Sequence, residues 1–167
     1  MEMKAMRDAF ISAMGHAAHS VSVVVTDGDA GRMGVTVSAV SSVSADPPMI
    51  LACINRKSPA VAAICANGSM TINMLAATQH DISDVFSGRS QKFRPYDFAC
   101  AQWTRGREHG SLFLNGASTS FHAVVETKVE AGTHMVIIGR VMEVNMGGHD
   151  VLVHCRRNYG QFSLIPA

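Results

Sequence analysis

The chain has 167 residues, 47% hydrophobic and 16% charged, with a formal net charge of +1. That describes one globular domain over residues 1–167 rather than a disordered chain, with a core of useful size and little charge for its surface. No basic cluster exceeds a pair and no run of eighteen apolar residues occurs, so neither nucleic acid nor a membrane is expected as a partner.

The first segment, residues 2–18, places Met3, Met6, Phe10, Ala13, Met14 and Ala17 on one face at helical spacing. Its start, MEMKAMRDAF, lacks a signal-peptide layout. Ser20 to Thr26 reads as a strand. Asp27-Gly28-Asp29-Ala30-Gly31 is turn chemistry that returns the chain into Met33–Val43 as an antiparallel hairpin. Within that second strand, Gly34-Val35-Thr36-Val37-Ser38-Ala39 alternates β-branched residues with hydroxyls and small side chains. Pro47-Pro48 ends one strand, because proline has no N–H for a ladder, and Met49–Ile54 reads as the next.

Asn55-Arg56-Lys57-Ser58-Pro59 then combines two cations with a capping hydroxyl and a proline at the first helical position. The spacing predicts a helix over 59–67 with Gly68 just past its end. Ser69–Leu75 reads as a strand, and Thr78 with Asp81 as a capping box opening a helix through Phe86. Ser87–Gly110 is a long polar connection holding the only tryptophan, Trp103, and is expected to act as a lid. Strands follow at Ser111–Leu114, Ala117–Val129, Met135–Val144 and Val151–His154. Strands outweigh helices and no βαβ rhythm repeats. The fold class is therefore mainly β with helical insertions, an antiparallel barrel.

Cys53, Cys65, Cys100 and Cys155 are far apart with no C-x-x-C, so reduced thiols are expected and neither zinc nor a disulfide framework. His16 and His19 share a helix face but have no carboxylate near in sequence, so no metal is expected. The chain has no G-x-S-x-G, H-E-x-x-H, Walker loop or G-x-G-x-x-G, which leaves hydrolysis, phosphoryl transfer and Rossmann-type dinucleotide binding without an anchor. What stands out is a strand of small residues followed by a cationic helix start: a platform for a flat ring, then a socket for phosphate. Flavin is the first candidate. Taken one at a time, Arg56 and Lys57 also read as a solvated corner, Thr36, Ser38 and Ser41 as ordinary strand hydroxyls, and Asn73 and Gln79 as surface amides. His134, at the turn Gly132-Thr133-His134-Met135, can bond a carboxamide or simply face water.

These stretches resemble the short-chain flavin reductases that form the small component of two-component aromatic monooxygenases, of the 4-hydroxyphenylacetate and chlorophenol type. The likeness rests on Gly34-x-Thr36, Ser42-Val43-Ser44-x-Asp46-Pro47-Pro48 and Cys53-Ile54-Asn55-x-x-Ser58. It continues in Ile72-Asn73-Met74-Leu75, Gln79, Gly132-Thr133-His134 and Arg156-Arg157-x-Tyr159, in that order from about Arg7 to Tyr159.

The resemblance implies an FMN-binding split β-barrel forming a cytoplasmic homodimer. It implies reduction of FMN or FAD by NADH, with NADPH left open, and delivery of reduced flavin to a separate oxygenase. Met33, Gly34, Val35, Thr36, Val37 and Ser38 would line the flavin ring. Cys53, Asn55, Arg56, Lys57 and Ser58 would hold its phosphate end, and Ser87 and Gly88 would touch it. His134, as the catalytic-side contact, and Arg156, Asn158 and Tyr159 would meet the nicotinamide nucleotide. Pro59 departs from the pattern by removing a possible phosphate donor. The alternatives are a non-catalytic flavin carrier on the same barrel, a pyridoxamine-phosphate oxidase relative and a purely structural dimer.

Overall fold

The computed structural model describes residues 2–165. Helix α1 (Glu2–Met14) leads into the short strand β1 (His19–Ser20) and then β2 (Ser22–Gly28), β3 (Gly31–Val37), β4 (Val40–Ala45) and β5 (Pro48–Asn55). After α2 (Pro59–Asn67) and β6 (Ser69–Met74) comes α3 (His80–Phe86). The chain ends with β7 (Trp103–Arg105), β8 (Leu112–Leu114), β9 (Thr119–Ala131), β10 (His134–Met146), β11 (Leu152–Cys155) and β12 (Asn158–Gln161).

Seven strands form one antiparallel sheet in the order β3-β2-β6-β9-β10-β5-β4. Its two edges, β3 and β4, are consecutive in the chain and separated only by Ser38-Ala39. So short a link forces the sheet to roll until its edges lie side by side. No ladder joins β3 to β4 among the described residues, which makes this a split barrel. The expected single strand Met33–Val43 is thus two strands, broken where the chain crosses the split.

Alternation along β2 serves two cores. Val24 faces the barrel interior with Ile54, Met70, Ile72 and Ile137, closed by Ala60, Val61 and Ile64 of α2. Val23 and Val25 face outward against Leu75, Phe86, Leu112, Leu114 and Leu152. Each such side chain, fully buried, contributes about 1.5–3 kcal/mol. Helix α2 forms as its sequence dictates: Ser58 Oγ accepts from Ala60 N–H at 3.3 Å, Pro59 opens the helix, and Gly68 closes it at φ 71°.

Three further elements differ from expectation. The Thr78–Asp81 capping box does not form; instead Gln79 Oε1 accepts from Ala76 N–H at 3.0 Å. The Ser87–Gly110 segment is not a free lid, because Phe98 and Trp103 pack edge-on against Phe86 and Trp103 Nε1 donates to Phe98 O at 2.9 Å. Strand β12 is additional, formed by a hairpin whose turn is Arg156-Arg157. Helix α1 is amphipathic as expected, yet it buries no residue, and Met3 is 88% exposed. No described helix is long and apolar enough to cross a membrane.

Candidate functional site

The end of β3 is held by α3. Thr36 Oγ1 donates to Ser83 O at 2.7 Å, and the buried Gly34 faces the Phe86 ring, which would lie 2.7 Å from an added Cβ. Gly34 therefore has no side chain because Phe86 occupies that space. Val37 turns inward to the barrel core and Ser38 is exposed. Between this strand end, α3 and the β11–β12 hairpin lies a cavity of about 200 Å³ lined by Thr36, Ser38, Ser83, Ser87, Arg89 and Tyr159, with Val21, Val37 and His154.

The far wall of the cavity is a hydrogen-bonded cluster. Arg89 donates to Tyr159 Oη at 2.9 Å and to Asp84 Oδ1 at 3.3 Å. The Tyr159 hydroxyl lies 2.8 Å from Asp84 Oδ1 and 2.9 Å from Ser83 Oγ. It has one proton, which goes to the carboxylate, leaving Ser83 to donate to the phenol oxygen. Burial raises the Tyr159 pKa; the bond to Asp84 adds to this, while Ser83 and Arg89 oppose it. Tyr159 is thus a neutral, fixed wall.

A second cavity, of about 680 Å³, opens at Asn55, Arg56 and Lys57, with Gly132, Thr133 and Arg7. The backbone donors of this corner are already used. Arg56 N–H goes to Thr133 O, Lys57 N–H to Asn55 Oδ1, Ser58 N–H to Asn55 O and Val61 N–H to Ser58 O, all within 3.1 Å. Ser58 Oγ is occupied as the helix cap, and Pro59 has no donor. The Arg56 guanidinium is committed to Glu130 at 2.9 Å and to Gly132 O. Lys57 makes no ion pair among the described residues, so its ammonium is the corner's available charge.

The two cavities are close. Ala39 O accepts from Cys53 N–H at 2.9 Å, so Ser38 stands beside the strand that delivers Asn55 two residues later, about 7 Å further on. A five-carbon ribityl chain can bridge that gap. Hydroxyls and a guanidinium at one end and a free ammonium at the other fit a flavin mononucleotide. The ring cavity is smaller than the roughly 300 Å³ at which ligand sites begin, so a tricyclic ring would be only partly enclosed.

The structure brings Thr36, Val37, Ser38, Ser87 and Tyr159 to the first cavity and Asn55, Arg56 and Lys57 to the second. His134 pairs with Asn55 across the β5–β10 ladder, with Nδ1 2.9 Å from Thr133 Oγ1, which places it beside the corner rather than beside Tyr159. Met33, Gly34, Val35, Cys53, Ser58 and Gly88 line neither cavity; Gly88, at φ 75°, faces Tyr96. Arg156 lies across a separate cleft from α1, and Asn158 braces its turn by donating to Arg156 O at 2.8 Å. Asn73 is buried and structural: its side chain accepts from Leu114 N–H at 2.9 Å and from Ser120 Oγ at 2.8 Å. Sequence reading missed Ser83, Asp84 and Arg89. Ser83 and Asp84 on a short helix and Arg89 just past its end look like solvated positions, and only the return of Tyr159 reveals the cluster. No group of three His, Cys, Asp or Glu side chains suited to a metal ion occurs among the described residues.

Residues 14–163 match the family model described as the flavin reductase like domain. An FMN reductase (NADH), RutF, of Stutzerimonas stutzeri (strain A1501) is 37% identical over 155 residues, covering 92% of this chain and 87% of that protein. RutF of Cronobacter sakazakii (strain ATCC BAA-894) is 40% identical over 139 residues, covering 83% and 82%. The solved structure of flavin reductase PheA2 in its native state superposes with a TM-score of 0.83 at 27% identity, covering 94% of this chain and 98% of that one. BorF, the flavin reductase component of a bacterial two-component tryptophan halogenase, gives 0.82 at 25%, covering 93% and 97%.

Proposed function

The chain belongs to the flavin reductase family, and from that premise we propose that it reduces FMN with NADH and releases the reduced flavin to a separate oxygenase. The observation that carries this reading is the pairing of a hydroxyl-lined cavity at the end of β3, which encloses part of a ring, with the neighbouring corner where the Lys57 ammonium forms no ion pair among the described residues. FMN needs one phosphate site, and the corner supplies one. Relatives named as reductases give no support to a non-catalytic carrier.

When bound, the flavin supplies the acceptor for a hydride from the nicotinamide. The protein's part is to orient and to stabilise charge. As an edge strand, β3 leaves alternate N–H groups unpaired, and N–H groups of Thr36–Ala39 would stabilise the negative charge that develops on a bound flavin. Arg89, fixed by Asp84 and Tyr159, places positive charge at its rim. Lys57 holds the phosphate, and His134, beside the corner, contacts the nicotinamide nucleotide from the opposite ladder. Partial enclosure of the ring suits a flavin that leaves after each turnover.

The chain acts as a single domain, since the two cores share strand β2. It works as a homodimer: Met142, Val144 and Met146 alternate onto one exposed face of β10, and Met3, Met6 and Phe10 project from α1. Such surface favours a second copy. Its place is the cytoplasm, where its four free cysteines stay reduced. The test is anaerobic mixing of the protein with NADH and free FMN. The visible flavin band bleaches with turnover under this reading, and an unchanged band refutes it.

A further inference from the structure

Strand β11 divides its side chains between two neighbours. Cys155 faces α1, its thiol donating to His16 O at 3.5 Å. Leu152 and His154 point the other way, since alternate residues of a strand share a face. Leu152 is buried in the outer core with Phe86 and Leu114, and His154, two residues on, is half-buried. There it lines the cavity at the end of β3 together with Thr36, Ser38 and Arg89.

His154 stands opposite Tyr159 across the β11–β12 hairpin. The two rings meet edge to face, with 5.9 Å between centroids and 70° between planes. Tyr159 is itself held by Ser83, Asp84 and Arg89, so the imidazole leans on a fixed wall. Its two nitrogens have no hydrogen-bond partner among the described residues. By contrast, His16, His122 and His134 each bond a neighbour through Nδ1, and His80 holds Asp81 through Nε2. A positioned imidazole with open nitrogens at a cavity is arranged to exchange a proton with what enters.

No other residue lining this cavity can do so near neutral pH. Arg89 keeps its charge throughout. Burial raises the Tyr159 pKa, so the phenol stays neutral. Imidazole, by contrast, titrates between about pH 5 and 8. The ionisable groups around His154 are few. His19 is its partner across the β1–β11 ladder, Tyr159 faces it from β12, and His80 of α3 lies beyond Tyr159. Asp84 and Arg89 pair with each other, and Asp81 pairs with His80 and Lys92.

Reduction of FMN by NADH leaves one proton to be found. Hydride transfer carries one hydrogen and two electrons from nicotinamide C4 to flavin N5, and negative charge settles on flavin N1 and the C2 oxygen. Neutral dihydroflavin needs a further proton at N1. We infer that His154 is the general acid of this reaction, giving its imidazolium proton to flavin N1. Its N–H bond breaks as the N1–H bond forms, and the neutral imidazole regains a proton from water. The inference rests on the reductase reading. Arg89 then supplies permanent charge to the cavity, and His154 supplies the proton.

The test compares the wild type with His154→Phe, which keeps a ring against Tyr159, and with His154→Gln. Anaerobic single-turnover bleaching of FMN by NADH is followed across the imidazole range. Both variants should slow about a hundredfold at its acid end, and the gap should close as pH rises and the wild type loses its imidazolium. The second readout needs no turnover. The ring-proton resonance of His154, identified by its loss from the spectrum of His154→Phe, should shift when FMN alone is added. A resonance that FMN leaves in place overturns the inference, as do variants that do not slow or that slow equally at every pH. Should His154→Phe disturb the hairpin, His154→Gln carries the kinetic comparison and also identifies the resonance. A wild type whose His154 resonance responds to FMN, yet which leaves FMN oxidised with NADH, refutes the reductase reading and the proton step with it, while keeping His154 at the ring.

Discussion

The cavity at the end of β3 and the corner at Asn55–Lys57 are built on opposite plans. At the first, Thr36, Ser83, Asp84, Arg89 and Tyr159 bond one another, and Gly34 packs against Phe86. Every group there has its place before a ligand arrives. At the corner the backbone is equally satisfied, but Lys57 has no ion-pair partner among the described residues. One region is rigid and shapes a ring; the other is open and attracts a charge. Orientation and affinity are thereby assigned to different residues and can be broken separately.

The largest expected effect is on the rigid side. Gly34→Val drives a branched side chain into Phe86 and Val25. Such overpacking costs about 2–3 kcal/mol, a fall in Tm of about 8 °C, and it presses through Phe86 on α3, whose Ser83 lines the ring cavity. Thermal unfolding with and without FMN measures both; an unchanged Tm would mean the strand–helix contact is loose. On the open side, Lys57→Ala weakens FMN binding about tenfold without lowering Tm. Arg56→Ala, already held by Glu130 on an exposed surface, weakens it no more than about threefold. Fluorescence titration ranks the two, and the reverse order would show that Arg56 releases Glu130 to take the phosphate.

The smallest effect sharpens the comparison from outside both regions. His122 is buried against Thr71, with its Nδ1 3.0 Å from Thr71 Oγ1. Burial lowers its pKa below 6.5, against the pull of Glu143 and Glu108 and with that of His109. Its unfolded form binds a proton at higher pH than its folded form does. The stability it contributes is therefore complete above 6.5 and is lost as pH falls from there through the folded value. Tm should drop over that window, and His122→Gln should remove this part of the drop. FMN affinity should follow a different pH course, since His122 touches neither cavity.

Local chemistry was legible in the sequence. The Ser58-Pro59 start and Gly68 stop of α2, the turn at Gly132-Thr133 and the cations of the corner all follow from residue type and spacing. Contacts between distant segments were not. Gly34 reads as room for a ring, yet Phe86, far along the chain, fills it. Asn73 reads as a surface amide, yet it fastens β8 to the sheet. Arg156-Arg157 carries no turn signature, so β12 was missed, and with it the meeting of Tyr159 with Asp84 and Arg89.

A crystal structure of the protein with FMN tests the division of labour most directly. The account predicts the ring against Thr36–Ser38 and its phosphate within hydrogen-bond distance of Lys57 Nζ. A ring bound away from the end of β3, or a phosphate that leaves Lys57 untouched, would contradict it.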